Sequence, residues 1–170
     1  MKTVLMVIGH TFRDEEYIEP KIVLEDAHIL TRTAGTERVP CVGTNGSIAM
    51  VGEPLSEVNS SGYNAIIFVG GSGASEFFDD EAAHKIAREM HEAGKVVAAI
   101  CIAPSTLARA GLLEGKKATS FETQKEDLIA HGAEFTGAPV EVDGRIVTAA
   151  NAESATAFGE AIRDLVKEDG

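Results

Sequence analysis

The fold of this chain is decided by the stretch Val96-Val97-Ala98-Ala99-Ile100-Cys101-Ile102-Ala103-Pro104. The five apolar residues Val96 to Ile100 are too few for a helix and predict a strand that is buried on both faces. Pro104 suits the first turn of a helix, where its missing N–H has no partner to lose. The sequence therefore predicts a strand that turns sharply at Cys101 into a helix.

Cys101 at this corner is a candidate nucleophile. A side chain between the carboxyl end of a strand and the start of a helix faces unpaired N–H groups, which are expected to lower the pKa of the thiol and stabilise a thiolate. The arrangement matches a nucleophile elbow with Cys in place of Ser and without flanking glycines. The alternative is that Cys101 only packs, since free cysteines are often buried.

Length and cysteine content favour one reduced domain. A chain of 170 residues can form one domain, here residues 1–170, without metals or disulfides. Its two cysteines, Cys41 and Cys101, form no Cys-x-x-Cys and no metal-type pair. The start of the sequence lacks the apolar stretch of a signal peptide, and no segment approaches the about 20 apolar residues of a membrane span. We therefore expect a cytoplasmic protein without a metal.

The charge of the chain is strongly negative. It has 27 acidic and 15 basic residues, which give a formal net charge of -12. A phosphate backbone or an anionic membrane surface would be repelled by such a chain. We therefore expect neither nucleic acid nor membrane among its partners.

Strands and helices alternate along the rest of the chain, which predicts a doubly wound α/β domain with a mostly parallel sheet. A helix from Asp14 is expected to be capped by Thr11 or Asp14 and to bury Ile18, Ile22 and Leu24. Further elements are predicted as follows: strands at 3–8, 28–31, 65–69 and 118–121, a hairpin or edge strands at 39–51, a hairpin at 140–147, a helix capped by Asp79 or Asp80 that ends at Gly94, and helices at 126–130 and 155–166.

Three features are expected at one edge of the sheet, because ligands bind where parallel strands end. Pro20 bends the first helix at the carbonyl of Glu16. The glycines 70–73 follow a buried strand and allow backbone N–H groups to approach a ligand, although a plain turn would have the same composition. Cys101 is the third feature. His10 follows the first strand and is either a base or a structural residue.

These features, in this order, resemble the ThiJ/PfpI family, which includes the parkinsonism-associated deglycase and belongs to the class I glutamine amidotransferase-like superfamily. The resemblance lies in residues 4–8 with 14–16 and Pro20, 66–71, 98–113 and 142–149. It implies a flavodoxin-like sandwich with helices on both faces, and a homodimer. It also implies that Cys101 is the reactive cysteine, that Glu16 contacts its sulfur, and that Gly70, Gly71 and the N–H of Ile102 form an oxyanion site.

Two positions depart from the family pattern. Ile102 stands where peptidase-like members carry His, and Phe121 stands where other members carry His. Without an imidazole there is no ordinary Cys-His dyad, which disfavours peptide cleavage. A carboxyl group beside a thiolate is stable only when protonated or hydrogen-bonded, so we expect a raised pKa for Glu16.

The favoured hypothesis is a cofactor-independent enzyme of glyoxalase or deglycase type. In it the Cys101 thiolate adds to a small reactive carbonyl such as methylglyoxal, without glutathione, and Glu16 shuttles the proton. The first alternative is a non-enzymatic redox sensor or stress chaperone, in which Cys101 is oxidised. The weaker alternative is an intracellular cysteine peptidase or amidase.

Overall fold

The computed structural model of the chain describes residues 1–169. Its strands, in chain order, are β1 (Thr3–Val7), β2 (Thr11–Phe12), β3 (Leu30–Gly35), β4 (Pro40–Gly43), β5 (Ile48–Met50), β6 (Glu53–Pro54), β7 (Ala65–Phe68), β8 (Val96–Ile100), β9 (Lys117–Ala118), β10 (Glu134–Phe135), β11 (Val140–Asp143) and β12 (Ile146–Ala149).

The α-helices are α1 (Asp14–Asp26), α2 (Glu81–Glu92), α3 (Pro104–Arg109), α4 (Lys125–Ala130) and α5 (Ala155–Glu168). A 3-10 helix, Ser72–Phe77, follows the glycine loop after β7. The side chain of Asp80 begins α2 by accepting the N–H of Ala83 at 2.9 Å, as N-cap residues do.

A seven-stranded sheet forms the centre of the molecule, in the order β11-β12-β8-β7-β1-β3-β6. Its strands run parallel except for the β11–β12 hairpin. All five residues of β8 are buried, because one core lies between the sheet and helices α2 to α4 and another between the sheet and helices α1 and α5. The predicted doubly wound α/β sandwich is confirmed, and β8 places Cys101 near its middle.

Both predicted hairpins are confirmed. Strands β4 and β5 pair antiparallel in a small sheet with β2, and β11 pairs antiparallel with β12 around Gly144. Gly144 has φ +63, a backbone conformation that glycine adopts without strain. The first hairpin brings its turn next to the start of α1.

Two details predicted for α1 are wrong. The predicted burial of Leu24 is confirmed, but Ile22 is 52% exposed. Tyr17 and Pro20 lie on the buried side of the helix with Leu24. The reason is a tertiary contact, since Pro20 packs against Gly159 of α5 so closely that a side chain at Gly159 would meet its Cα at 2.8 Å. The close approach of the two helices, and not the apolar spacing of α1, decides which side is buried.

The cap predicted for α1 is also wrong. Arg13 occupies the N-cap position and makes no side-chain cap hydrogen bond. Asp14 instead accepts the N–H groups of Asn45 and Ser47 at 2.7 and 2.9 Å. Burial alone would raise the pKa of Asp14, but the hydrogen bonds from Ser47 and Asn45 lower it to about 2. The carboxylate therefore fixes the β4–β5 turn against α1.

Two predicted strands begin or end elsewhere. His28 has φ +62 and belongs to the turn after α1, so β3 begins only at Leu30. The strand predicted to reach Phe121 is the two-residue β9, because the N–H of Phe121 donates to the carbonyl of Cys101 at 2.7 Å instead of joining a sheet. Phe121 is thereby brought to the elbow.

Helices long and apolar enough to cross a bilayer do not occur within residues 1–169.

Candidate active site

The backbone turns sharply at Cys101, as predicted. Cys101 has φ +66, which is uncommon for a residue with a side chain and marks local strain. Its N–H donates to the carbonyl of Ala149 at 2.9 Å, and its carbonyl accepts the N–H of Phe121 at 2.7 Å. Strand β12 and the segment after β9 therefore hold the elbow from both sides.

Glu16 lies in the first turn of α1 and is only 1% exposed. Its carboxyl group interacts with the thiol of Cys101. Its Oε1 atom is buried and has no hydrogen-bond partner within residues 1–169. An unpaired buried carboxyl oxygen costs free energy of folding. This cost indicates that the acid is placed beside the sulfur for a functional reason.

The glycine loop closes around this pair. Gly71 has φ +100, and a Cβ there would overlap the backbone N of Arg13. A Cβ at Gly70 would overlap Oε1 of Glu16 and lie 2.7 Å from the Cβ of Cys101. Glycine is therefore required at both positions for the acid and the thiol to meet.

The pKa of Glu16 is raised to about 7. Burial of the carboxyl group is the main cause, and it outweighs the hydrogen bond with Cys101 and the positive charge of Arg13, both of which favour the ionised form. The predicted direction of this shift is confirmed.

The expectation of a lowered thiol pKa is wrong. Burial and the negative charge of Glu16 raise the pKa of Cys101 to about 12, although hydrogen bonds from the N–H groups of Ile102 and Gly71 act in the opposite direction. Two backbone donors do not offset the loss of hydration together with a neighbouring carboxylate. Between the two pKa values the pair has one negative charge and one proton, which the sulfur and the carboxyl oxygens share.

A cavity of about 290 Å³ opens onto the sulfur. Its lining combines backbone donors, hydroxyl and amide groups, an aromatic ring and charged side chains: Arg13, Glu16, Thr44, Gly71, Ser72, Cys101, Phe121, Asn151, Ala152 and Glu153. Thr44, Asn151 and Glu153 are site residues that were not predicted from the sequence. A signal was present for the last two, since they follow the buried strand β12 at the same edge of the sheet.

His10 lies outside the residues that line this cavity. Its ring nitrogens Nδ1 and Nε2 lie 2.8 Å from Glu76 Oε1 and 3.0 Å from Glu37 Oε1. These hydrogen bonds, with Glu37 contributing most, raise the pKa of His10. Its ring thereby connects the segment after β1 to the segment between β3 and β4 and to the 3-10 helix Ser72–Phe77.

Replacing Gly70 by Ala is expected to lower the rate of any reaction carried by Cys101 and Glu16 by roughly 10-fold or more. The free energy of unfolding should fall by about 1–3 kcal/mol. The added Cβ would force the carboxyl of Glu16 away from the sulfur. Urea denaturation and kinetic assays test both effects.

The matched control for this change is Gly62→Ala, because an added Cβ at Gly62 meets nothing within 4 Å. A Gly70→Ala protein with the kinetics of this control would contradict the geometry described above.

Comparisons with known proteins agree with the fold. The model of the DJ-1/PfpI family matches residues 2–165. A Methanocaldococcus jannaschii protein is 36% identical over 98% of this chain and 83% of its own length. The Pyrococcus horikoshii protein named deglycase PH1704 is 35% identical over 85% of this chain and 87% of its own length.

Two solved structures have the same fold as this chain. The ThiJ/PfpI domain protein from Brachyspira murdochii superimposes with a TM-score of 0.95 at 28% identity, over 98% of this chain and 96% of that one. Drosophila melanogaster DJ-1beta has a TM-score of 0.89 at 24% identity, over 98% and 94% of the two chains, and is similar in fold.

Proposed function

Since the chain belongs to the DJ-1/PfpI family, we propose that it is a cysteine-dependent enzyme that converts small reactive carbonyl compounds, as a glutathione-independent glyoxalase or deglycase. The observation that carries the proposal is the buried acid beside the thiol, with Oε1 of Glu16 left without a partner. Such an acid is placed to move protons between the sulfur and a bound substrate.

The first step is addition of the sulfur to the aldehyde carbon of methylglyoxal. The thiol proton of Cys101 passes to the carboxylate of Glu16 as the C–S bond forms and the carbonyl electron pair moves to oxygen. That oxygen then takes the proton from Glu16, which gives a hemithioacetal. The N–H groups of Gly71 and Ile102, which hydrogen-bond the sulfur, are the nearest donors for the developing oxyanion.

The second step moves a proton between neighbouring carbons. The carboxylate of Glu16 removes the proton from the carbon bonded to sulfur, the electrons form an enediolate, and protonation of the adjacent carbon gives a thioester of lactate. Water cleaves this thioester and restores the thiol. The sum is methylglyoxal plus water giving lactate and a proton, so no external oxidant or reductant is needed.

The formation of lactate from methylglyoxal tests the proposal. The purified chain is incubated with methylglyoxal in the absence of glutathione, and lactate is measured by proton NMR. Lactate formed in proportion to enzyme supports the proposal, and the absence of lactate with folded protein contradicts it.

The name of the Pyrococcus relative supports carbonyl adducts of amino groups as further substrates. Peptide hydrolysis is less well supported, because none of the residues that line the cavity is a histidine. An amide leaving group needs a proton from a general acid such as a protonated histidine, whereas an aldehyde has no leaving group in the addition step.

A second candidate function is sensing of peroxide. Cys101 is partly exposed, whereas Cys41 is buried and only 3% exposed. A thiolate at Cys101 would attack one peroxide oxygen, releasing water and leaving a sulfenate, and a second peroxide would convert this to a sulfinate. A neutral Glu16 would donate a hydrogen bond to that product.

Mild peroxide is therefore expected to add two oxygen atoms to Cys101 before it changes Cys41. The difference in accessibility is the reason, and mass spectrometry of peptides from the treated protein measures it. Equal oxidation of the two cysteines would count against this function.

A further inference from the structure

We infer that Glu153 makes the site selective for carbonyl compounds that carry a positive charge close to the reacting group. This inference rests on the proposed function and names the class of substrate that the cavity prefers. The distribution of charge around the cavity supports it.

Glu153 lies where two depressions meet. It lines the catalytic cavity and also an adjoining open groove of about 250 Å³, whose lining is Arg13, Glu15, Glu19, Ala152 and Glu153. A substrate whose carbonyl carbon reaches Cys101 therefore shares the cavity with Glu153, so a charge carried near that carbon interacts with this carboxylate.

Arg13 supplies one positive charge, which several carboxylates share. Arg13 is the only basic residue among those that line the two depressions, and its Nε donates to Glu15 Oε2 at 2.6 Å. Glu15 is itself fixed by Asn45, whose side-chain amide donates to its other oxygen at 2.9 Å. The guanidinium is therefore held mainly by Glu15, and its remaining attraction is divided between Glu16 and Glu153, so that one cation faces several acids.

The carboxylate of Glu153 has no hydrogen bond or ion pair to other residues of the described chain, 1–169. Glu19, the remaining acid of the groove, accepts the hydroxyl of Thr156 at 2.8 Å. The region where the cavity and the groove meet, which is the mouth of the cavity, is thus net negative. The whole chain has a formal net charge of -12. Such a field concentrates cations and repels anions.

A separate observation places a ligand in this cavity. Glu16 lines the cavity, and its buried Oε1 has no hydrogen-bond partner within residues 1–169, which leaves an unsatisfied acid beside the space that a small polar molecule would occupy. The acidic mouth therefore belongs to a cavity already built for a small polar molecule. The preferred class is an α-oxoaldehyde that bears an ammonium or guanidinium group.

Three phenylglyoxals of similar size test the inference: the 4-trimethylammonio compound, the unsubstituted compound and the 4-carboxylate. In wild-type protein we expect kcat/KM to fall from the cationic to the neutral to the anionic compound, by roughly 5-fold at each step, since one charge pair about 4 Å apart in water is worth about 1 kcal/mol. The order should weaken as salt is added.

The variant Glu153→Gln is expected to remove most of this order. Glu160→Gln is the matched control, because Glu160 is an exposed glutamate on α5 that lines neither depression. A preference that survives in Glu153→Gln, or that disappears equally in Glu160→Gln, would overturn the inference.

A second measurement separates this inference from the proposed function, because it needs no turnover. Cationic, neutral and anionic methanethiosulfonates modify Cys101, and each rate is divided by the rate for N-acetylcysteine. We expect the same order, reduced by Glu153→Gln. If the wild type turns over no phenylglyoxal but keeps this order, the proposed function fails and the charge selectivity stands. An order that Glu153→Gln leaves unchanged removes the selectivity.

Discussion

Replacing Cys101 by Ser is expected to lower the rate of lactate formation from methylglyoxal by at least about 1,000-fold. Serine keeps the shape of the elbow, but its hydroxyl is a much weaker acid and nucleophile than a thiol. No histidine lines the cavity to activate it. Steady-state kinetics with lactate as the measured product check this expectation.

Cys41→Ser is the control for this change. Cys41 is buried on the β4–β5 hairpin, and its sulfur lies 3.9 Å from the carbonyl oxygen of Val39. Its replacement should leave the kinetics within about 2-fold of wild type, since Cys41 is not among the residues that line the cavity. Substantial turnover by Cys101→Ser would show that the sulfur does not carry the reaction.

Replacing Glu16 by Gln is expected to lower kcat/KM by roughly 100- to 10,000-fold, the range found for the loss of a general acid or base. Glutamine has nearly the same shape but can neither accept the thiol proton nor remove a proton from carbon. The loss should appear mainly in kcat, because the cavity and its other lining residues remain.

Glu25→Gln provides the control on the same helix. Glu25 lies near the end of α1, where its carboxylate pairs with Lys21 at 2.6 Å and accepts the hydroxyl of Thr31. Its replacement changes the charge of α1 by the same amount without reaching the cavity. If the two variants lost activity equally, the effect would be one of net charge and not of proton transfer.

Much of the fold could be predicted from local patterns. The buried run before Cys101 and the proline after it depend only on neighbouring residues, and the structure has both the strand and the helix. Glu16 was found because its position in the helix and the end of β1 lie at the same edge of the sheet. These features follow from the geometry of parallel strands.

Other features depend on distant contacts and could not be predicted. The buried side of α1 is decided by the approach of Pro20 to Gly159, which is a contact between segments far apart in the sequence. The pKa of Cys101 depends on how completely the cavity excludes water, and the pattern of residues carries no measure of that. The position of Thr44 at the cavity depends on how Asp14 fixes the β4–β5 turn.

The central claim is that the thiol and the carboxyl group share one proton. The dependence of the Cys101 alkylation rate on pH tests it most directly, measured with iodoacetamide in the Cys41→Ser background. Below the pKa of Glu16, about 7, the pair holds two protons and the thiolate is absent. Above it, a constant fraction of the pair is thiolate with a protonated acid, until the thiol itself ionises near its pKa of about 12.

The rate of Cys101 alkylation should therefore rise near pH 7, stay level, and rise again only at high pH. Glu16→Gln should lose the first rise and show one transition, at a thiol pKa lowered by removal of the neighbouring negative charge. A single transition near the ordinary cysteine value of about 8.5, the same in both proteins, would contradict the shared proton and the mechanism built on it.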